Sequence, residues 1–197
     1  MGGRENGATL PPMHRLVVAV ALVLVPAAAA LPDGSRHFFP LEPRNEWTFE
    51  NLQYGGAETL TVSGAGAGSF RLEGFPGARS LRVRWSGQTL QAWDTNDRRW
   101  EALLRLGAPA GTSYAVDLAQ PLWRKVRVTV ASRRATVHNP VLGRSYSGAI
   151  RLALRPDPGL ADAGITGIWF APGVGPVRWI EQSIAGPVEH VLARARS

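Results

Sequence analysis

The chain has 197 residues, 45% hydrophobic and 19% charged, which excludes wholesale disorder and suits a single domain. It contains no cysteine, so disulfides, thiol nucleophiles and cysteine-ligated zinc are all excluded. The formal charge is +7, yet 21 of the 22 basic residues are arginine and they are scattered along the chain; a nucleic-acid binder clusters such charge on one face or in a tail, so no nucleic-acid partner is expected.

Residues 1–30 read as a secretory signal peptide. Arg15 precedes an apolar run over residues 16–25, and Pro26 and four alanines follow it: a positive flank, a short apolar core and small residues at the end. A bilayer span needs about 20 apolar residues, more than this run has. An uncleaved N-terminal anchor is the alternative. Met13 is a second candidate start, because residues 1–12 are polar and carry two prolines. Cleavage near Ala30 leaves residues 31–197 as one β-rich domain. It holds 20 basic and 14 acidic residues, a net charge of +6, and is delivered to the periplasm or secreted without a transmembrane span. No cysteine stands at the cleavage point to carry a lipid.

From Trp47 onward the period is two. Trp47 and Phe49 face away from Glu46, Thr48 and Glu50. Leu60 and Val62 repeat the pattern, as do Phe70 and Leu72 against Arg71 and Glu73. Leu81, Val83 and Trp85 alternate with Arg82 and Arg84. Val126, Val128 and Val130 alternate with Arg127 and Thr129, and Ile150, Leu152 and Leu154 with Arg151 and Arg155. Successive strand side chains face opposite sides, so these are strands with one buried and one wet face. Such clean alternation predicts an antiparallel sheet. Turn chemistry separates the runs at Gly55-Gly56, at residues 64–68, at Ser86-Gly87, at Thr95-Asn96-Asp97 and at Asp157-Pro158-Gly159. Residues 100–106 fit either a helical face or a strand; their place after a hairpin turn favours a strand. Residues 107–123, with two glycines and two prolines, form the longest expected loop.

Near the C-terminus two apolar runs flank Pro172-Gly173-Val174-Gly175-Pro176. Proline lacks an N–H and glycine has no side chain to pack, so a sharp turn or bulge joining two core strands is expected there. The fold class that results is all-β: an antiparallel meander of about ten strands, forming a curled open sheet or a small barrel.

Two motifs carry a resemblance. Phe39-Pro40-Leu41 with Asn45-Glu46-Trp47, and Trp169-Phe170-Ala171-Pro172-Gly173-Val174-Gly175, resemble the opening F-P-L-x-x-G-N-x-W and closing A-P-G-V-G signatures of a β-rich domain. That domain is found in secreted and lipid-anchored bacterial proteins of unassigned function. Leu106-Gly107-Ala108-Pro109-Ala110-Gly111-Thr112-Ser113 matches a middle segment of the same kind, and the likeness spans most of residues 38–195 in order. It implies a β fold and no catalytic residues. Arg44 stands where the signature has Gly, and Pro176 after the last Gly disturbs regular pairing beyond the bend.

No reactive set emerges from the spacing. His37, His138 and His190 are far apart in sequence, without metal-ligand spacing. Gly143-Arg144-Ser145-Tyr146-Ser147-Gly148 lacks the final glycine of a nucleophile elbow and runs into a strand rather than a helix. Residues 64–68 also precede a strand, where a phosphate cradle opens onto a helix N-terminus. Asp94-Thr95-Asn96-Asp97 begins like a calcium loop, but Arg98 occupies the next ligand position. No metal and no cofactor are therefore expected. The acids sit beside arginines on wet strand positions, as cross-strand ion pairs do.

The seven tryptophans are the remaining signal, since aromatic platforms bind sugars, bases and apolar groups. Trp47, Trp85 and Trp169 fall on buried faces, and Trp100 joins them on one strand register. Trp93, Trp123 and Trp179 are not assigned a face and are the ligand-binding candidates. The function expected is a monomeric, non-catalytic cell-envelope domain that binds a partner or an apolar ligand in its concave face. Two alternatives stay open: a hydrolase whose Asp, Glu, Ser or His converge only in space, and a structural surface protein acting through its strand edges.

Overall fold

The alternating runs become twelve strands in a computed structural model that describes Gly2 and residues 34–156 and 163–196. The signal peptide expected over residues 1–30, the Asp157-Pro158-Gly159 turn and Asp162 lie outside the described residues. A one-turn helix, α1 (Ser35–Phe38), comes first. The first meander follows: β1 (Glu46–Asn51), β2 (Ala57–Gly64), β3 (Phe70–Phe75), β4 (Ala78–Ser86), β5 (Thr89–Asp94) and β6 (Arg99–Leu104). The second runs β7 (Ser113–Val116), β8 (Val126–Asn139), β9 (Arg144–Arg155), β10 (Gly164–Ala171), β11 (Gly175–Ser183) and β12 (Gly186–Arg196), with a 3-10 turn over Pro121–Trp123 between β7 and β8.

All neighbours pair antiparallel in one sheet of order β6-β5-β4-β3-β2-β1-β12-β11-β10-β9-β8-β7. The two meanders are joined at mid-sheet by the β1–β12 ladder, where Glu46 lies opposite Arg196. The outermost strands β6 and β7 approach each other on the far side, so the sheet nearly closes into a barrel. The expected antiparallel meander is what forms. Arg82, Arg127 and Arg151 are exposed on its outside, while Val83, Val128 and Leu152 are buried within. A membrane-spanning barrel has the reverse pattern, apolar outward and polar inward. No helix among the described residues is long and apolar enough to cross a membrane.

Unpaired strand edges invite pairing with other chains; here side chains bridge the seam. The Tyr114 hydroxyl of β7 accepts the Arg105 N–H at 3.0 Å and donates to the Leu103 carbonyl at 3.4 Å. Burial pushes the Tyr114 phenol up to about 12, so the donor proton stays in place. Arg133 adds hydrogen bonds from its guanidinium to the Leu106 and Ala108 carbonyls.

Up-and-down strands give the barrel two rims. The chain enters and leaves at the first, which also carries the β2–β3 and β10–β11 turns; the second carries the β1–β2, β3–β4 and β5–β6 turns and the β7–β8 connection. Phe39 fills the interior from the first rim, its ring centroid 5.5 Å from those of Trp47 and Phe170 and 6.2 Å from Phe75. Trp123 fills it from the second, 5.6 Å from Phe75, with its indole N–H donated to the Pro76 carbonyl at 2.7 Å.

The expected bend is the turn between β10 and β11. Trp47 donates its indole N–H to the Val174 carbonyl at 2.6 Å, and Gly173 N–H bonds the His37 carbonyl at 2.8 Å. Gly175 has φ +105°, and a Cβ there would lie 2.7 Å from the Trp47 indole nitrogen. Proline at 176, lacking an N–H, coincides with a register shift at Trp169/Phe170. Arg44, which replaces the signature glycine, has φ +85°, the region glycine enters without strain.

Several sequence expectations need adjustment. Residues 100–106 do begin as a strand, but a bulge sets Ala102 opposite Gln91 and Leu104 opposite Leu90, so Leu103 and Leu104 are both buried. Trp100 pairs with Trp93 and therefore faces outward, under the Arg84 guanidinium at 4.4 Å. Trp169 is buried, yet on the outer face: it lies opposite Arg151 and Arg178, whose guanidiniums cover it at 5.3 and 5.0 Å, and rests against Gly167. The expected loop over residues 107–123 contains β7 and the 3-10 turn.

Three substitutions test this frame by urea unfolding at constant m-value. Gly175→Ala loses at least about 2 kcal/mol, from backbone strain plus displacement of the indole. Trp47→Phe loses about 1–3 kcal/mol by leaving the Val174 carbonyl unpaired. Arg44→Gly gains up to about 1 kcal/mol by relieving a left-handed residue.

Candidate functional site

The residues with chemical potential are dispersed by the topology. His37 lies on α1 against Gly173 at the first rim. His138 on β8 sits 3.4 Å from the Ser145 hydroxyl of the adjacent strand. His190 lies on β12 near the second rim. Among the described residues no group of three or more His, Asp or Glu is placed to hold a metal ion. Asp94 accepts the Asn96 and Asp97 backbone N–H groups and closes the β5–β6 hairpin, as a turn residue does. Ala65 and Ser69 hydrogen-bond within the β2–β3 hairpin loop, and Ser145 and Ser147 belong to β9.

Among the described residues, His190 is the one charged-capable side chain turned into the barrel with nothing to bond. Its ring stacks on Trp179, 4.7 Å between centroids and 13° from parallel, and Phe49 meets Trp179 edge-on at 4.1 Å. Only 2% of it is exposed, and neither ring nitrogen has a hydrogen-bond partner. Glu58 Oε1 stands 3.7 Å from Nδ1, too far for a hydrogen bond. Burial holds the imidazole below its usual range, partly opposed by the Glu181 carboxylate. Partial burial raises the Glu58 carboxyl. The signal that finds this residue in the sequence is parity: Val188, His190 and Leu192 share the inward face and are all buried.

The three tryptophan candidates are not brought together. Trp93 is half-exposed on the outer face of β5, edge-on to Trp100 at 5.4 Å. Trp123 and Trp179 are 0% and 1% exposed, packed in the one core against different rings, Phe75 and Phe49. Trp85 instead reaches a cavity. At the first rim a groove of about 650 Å³ has Pro40, Leu41, Phe70 and Trp85 as its apolar lining, with Arg36, His37 and Glu42 supplying charge. A groove of this size suits a small molecule or the side chains of a bound segment. A second cavity, of about 310 Å³, lies at the opposite rim, where Asp94, Asp97 and Asp117 mix with Arg99, Arg124 and Lys125.

No protein-family model matches the chain, and no curated protein does. Two solved structures are similar to it. One is a protein of Bacteroides fragilis described as exported, with a YmcC-like fold. It is 12% identical, the match covers 82% of this chain and 99% of that one, and the TM-score is 0.42. The other is a protein of Parabacteroides distasonis described as a lipoprotein. It is 10% identical, the match covers 81% of this chain and 98% of that one, and the TM-score is 0.38.

The environment of His190 sets a pH dependence. An unfolded imidazole titrates near 6.5 and the folded one lower, so on acidification the unfolded chain takes up the proton first. Stability present above 6.5 is lost as pH falls through the depressed folded value. Glu58, raised from 4.5, acts oppositely, because its folded form protonates first. Urea titrations from about pH 8 to about pH 5 are expected to show a steeper acid loss for the native protein than for His190→Phe, which keeps the stacking on Trp179 and removes the proton.

Proposed function

We propose that the protein is a non-catalytic domain exported to the cell envelope, and that it binds a partner or ligand through an apolar group seated in the first-rim groove. The observation that carries this reading is the contrast between a filled interior and an open rim. Phe39, Phe75 and Trp123 pack together at the centre of the barrel, which favours the rim over the concave face as the place of binding. The groove beside Trp85 and Phe70 is open, with Pro40 and Leu41 completing an apolar side and Arg36, His37 and Glu42 a charged one. Its lining holds no serine, cysteine or threonine, and one histidine, His37, and one carboxylate, Glu42. Two further features support a binding module over the alternatives. His37, His138 and His190 occupy separate places on the barrel, which leaves a hydrolase without a convergent histidine. The strand edges face each other across the Tyr114 seam, which gives a filament-forming surface protein little edge to offer. Export rests on the apolar run over residues 16–25 and the alanines behind it.

The test is titration of the purified protein with a fluorescent fatty acid, alongside mass spectrometry of lipids retained from its own host. Saturable binding is expected, weakened about tenfold or more by Trp85→Ala and by Phe70→Ala, each the loss of about 1.4 kcal/mol or more. Absence of both probe binding and retained ligand overturns the reading, as does binding indifferent to both substitutions.

A further inference from the structure

On the outer face near the second rim, register brings cations together that the sequence keeps apart. Ala115 of β7 lies opposite Arg127 of β8, and Arg127 lies opposite Arg155 of β9. Directly opposed side chains on antiparallel strands have Cβ atoms about 5 Å apart, and like charges so placed destabilise the sheet. Ala115 is small, so the row is open on one side. Lys125, the only lysine of the chain, closes it from the β7–β8 connection in a left-handed conformation, φ +50°, with its backbone N–H on Asp117 Oδ1 at 3.1 Å. Together these residues and Pro156 line a cleft of about 390 Å³.

Among the described residues the charge in this cleft is unbalanced: three cationic side chains face one carboxylate, Asp117, which already accepts a backbone hydrogen bond. Among the described residues no acidic side chain pairs with Arg127, Arg155 or the Lys125 ammonium. The next row on the same face is neutral: Ser113 and Thr129 hydrogen-bond to each other at 2.7 Å, and Ala153 lies opposite Thr129. Guanidinium forks match the oxygens of a phosphate two at a time, and an ammonium supplies a point charge beside them. We propose that the cleft between β7, β8 and β9 binds a phosphate group, held by Arg127, Arg155 and Lys125. A dianionic phosphate ester offsets the two surplus charges and relieves the Arg127–Arg155 opposition. The site is separate from the groove at the other rim.

The test is calorimetric titration of the whole protein with inorganic phosphate and with glycerol phosphate, and co-sedimentation with phosphatidylglycerol vesicles against phosphatidylcholine vesicles. Four proteins are compared: the native chain, Arg127→Ser with Arg155→Ser, Lys125→Asn, and Arg71→Ser with Arg82→Ser. The last pair is also directly opposed on the outer face but is absent from the lining of this cleft. The expected result is at least tenfold weaker binding in the first double variant, weakening in Lys125→Asn, and native binding in the second double variant. Response to the soluble phosphates marks a free ester as the source, and response to the anionic vesicles alone marks a headgroup. No binding in either arm overturns the proposal, and so does equal loss in the two double variants, which means that net charge alone is sensed.

Discussion

One contact organises the closure of this barrel. The Trp47 indole lies flat against Gly175 and gives its N–H to the Val174 carbonyl, which links the first strand to the turn between β10 and β11. The contact needs a residue without a side chain at 175, and it fixes where Phe39 goes, because the Phe39 ring packs on the same tryptophan and on Phe170. Asn45 ties the approach from the other side, donating its side-chain amide to the Pro40 carbonyl. The opening and closing motifs of the sequence are thus two halves of one interface. Their residue types follow from it: aromatic rings to fill the space, glycine to admit an indole, and an amide to hold the bend before β1.

Aromatic rings pack through the interior, and the clefts described above lie at the rims and on the outer face. At the first rim the groove combines apolar side chains with Arg36, His37 and Glu42. At the second, one cavity is lined largely by charged groups and the neighbouring cleft sets Lys125, Arg127 and Arg155 beside Ala115, Val126 and Pro156, and His190 lies near that end with two carboxylates about it. The two ends therefore offer different chemistry on one wall.

Alternation made most of this wall legible in the sequence. Arg82, Arg127 and Arg151 face out because the residues on either side of each face in, a purely local pattern. What stayed hidden depends on partners distant in the chain. Trp169 follows the parity of its own strand to the outside, but its burial comes from Arg151 and Arg178. Leu103 and Leu104 both turn inward because a bulge interrupts the alternation. The four residues of β7 are too short a run to stand out among glycines and prolines. Neither candidate site could be seen without register: Arg127 and Arg155 are separated by a long hairpin, and the groove joins Pro40 to Trp85 across three strands.

The mid-sheet ladder has a bearing on how the chain reaches this state. Each half of the sheet is a run of neighbouring hairpins, but Glu46 finds its partner Arg196 only 150 residues further along the chain. Closing a loop of that length costs about 3 kcal/mol more entropy than closing a hairpin of a few residues, and nonlocal pairing of this kind slows folding. The two halves thus have a head start over their union, and the Trp47 anchor can be set only once the turn between β10 and β11 is present to receive it.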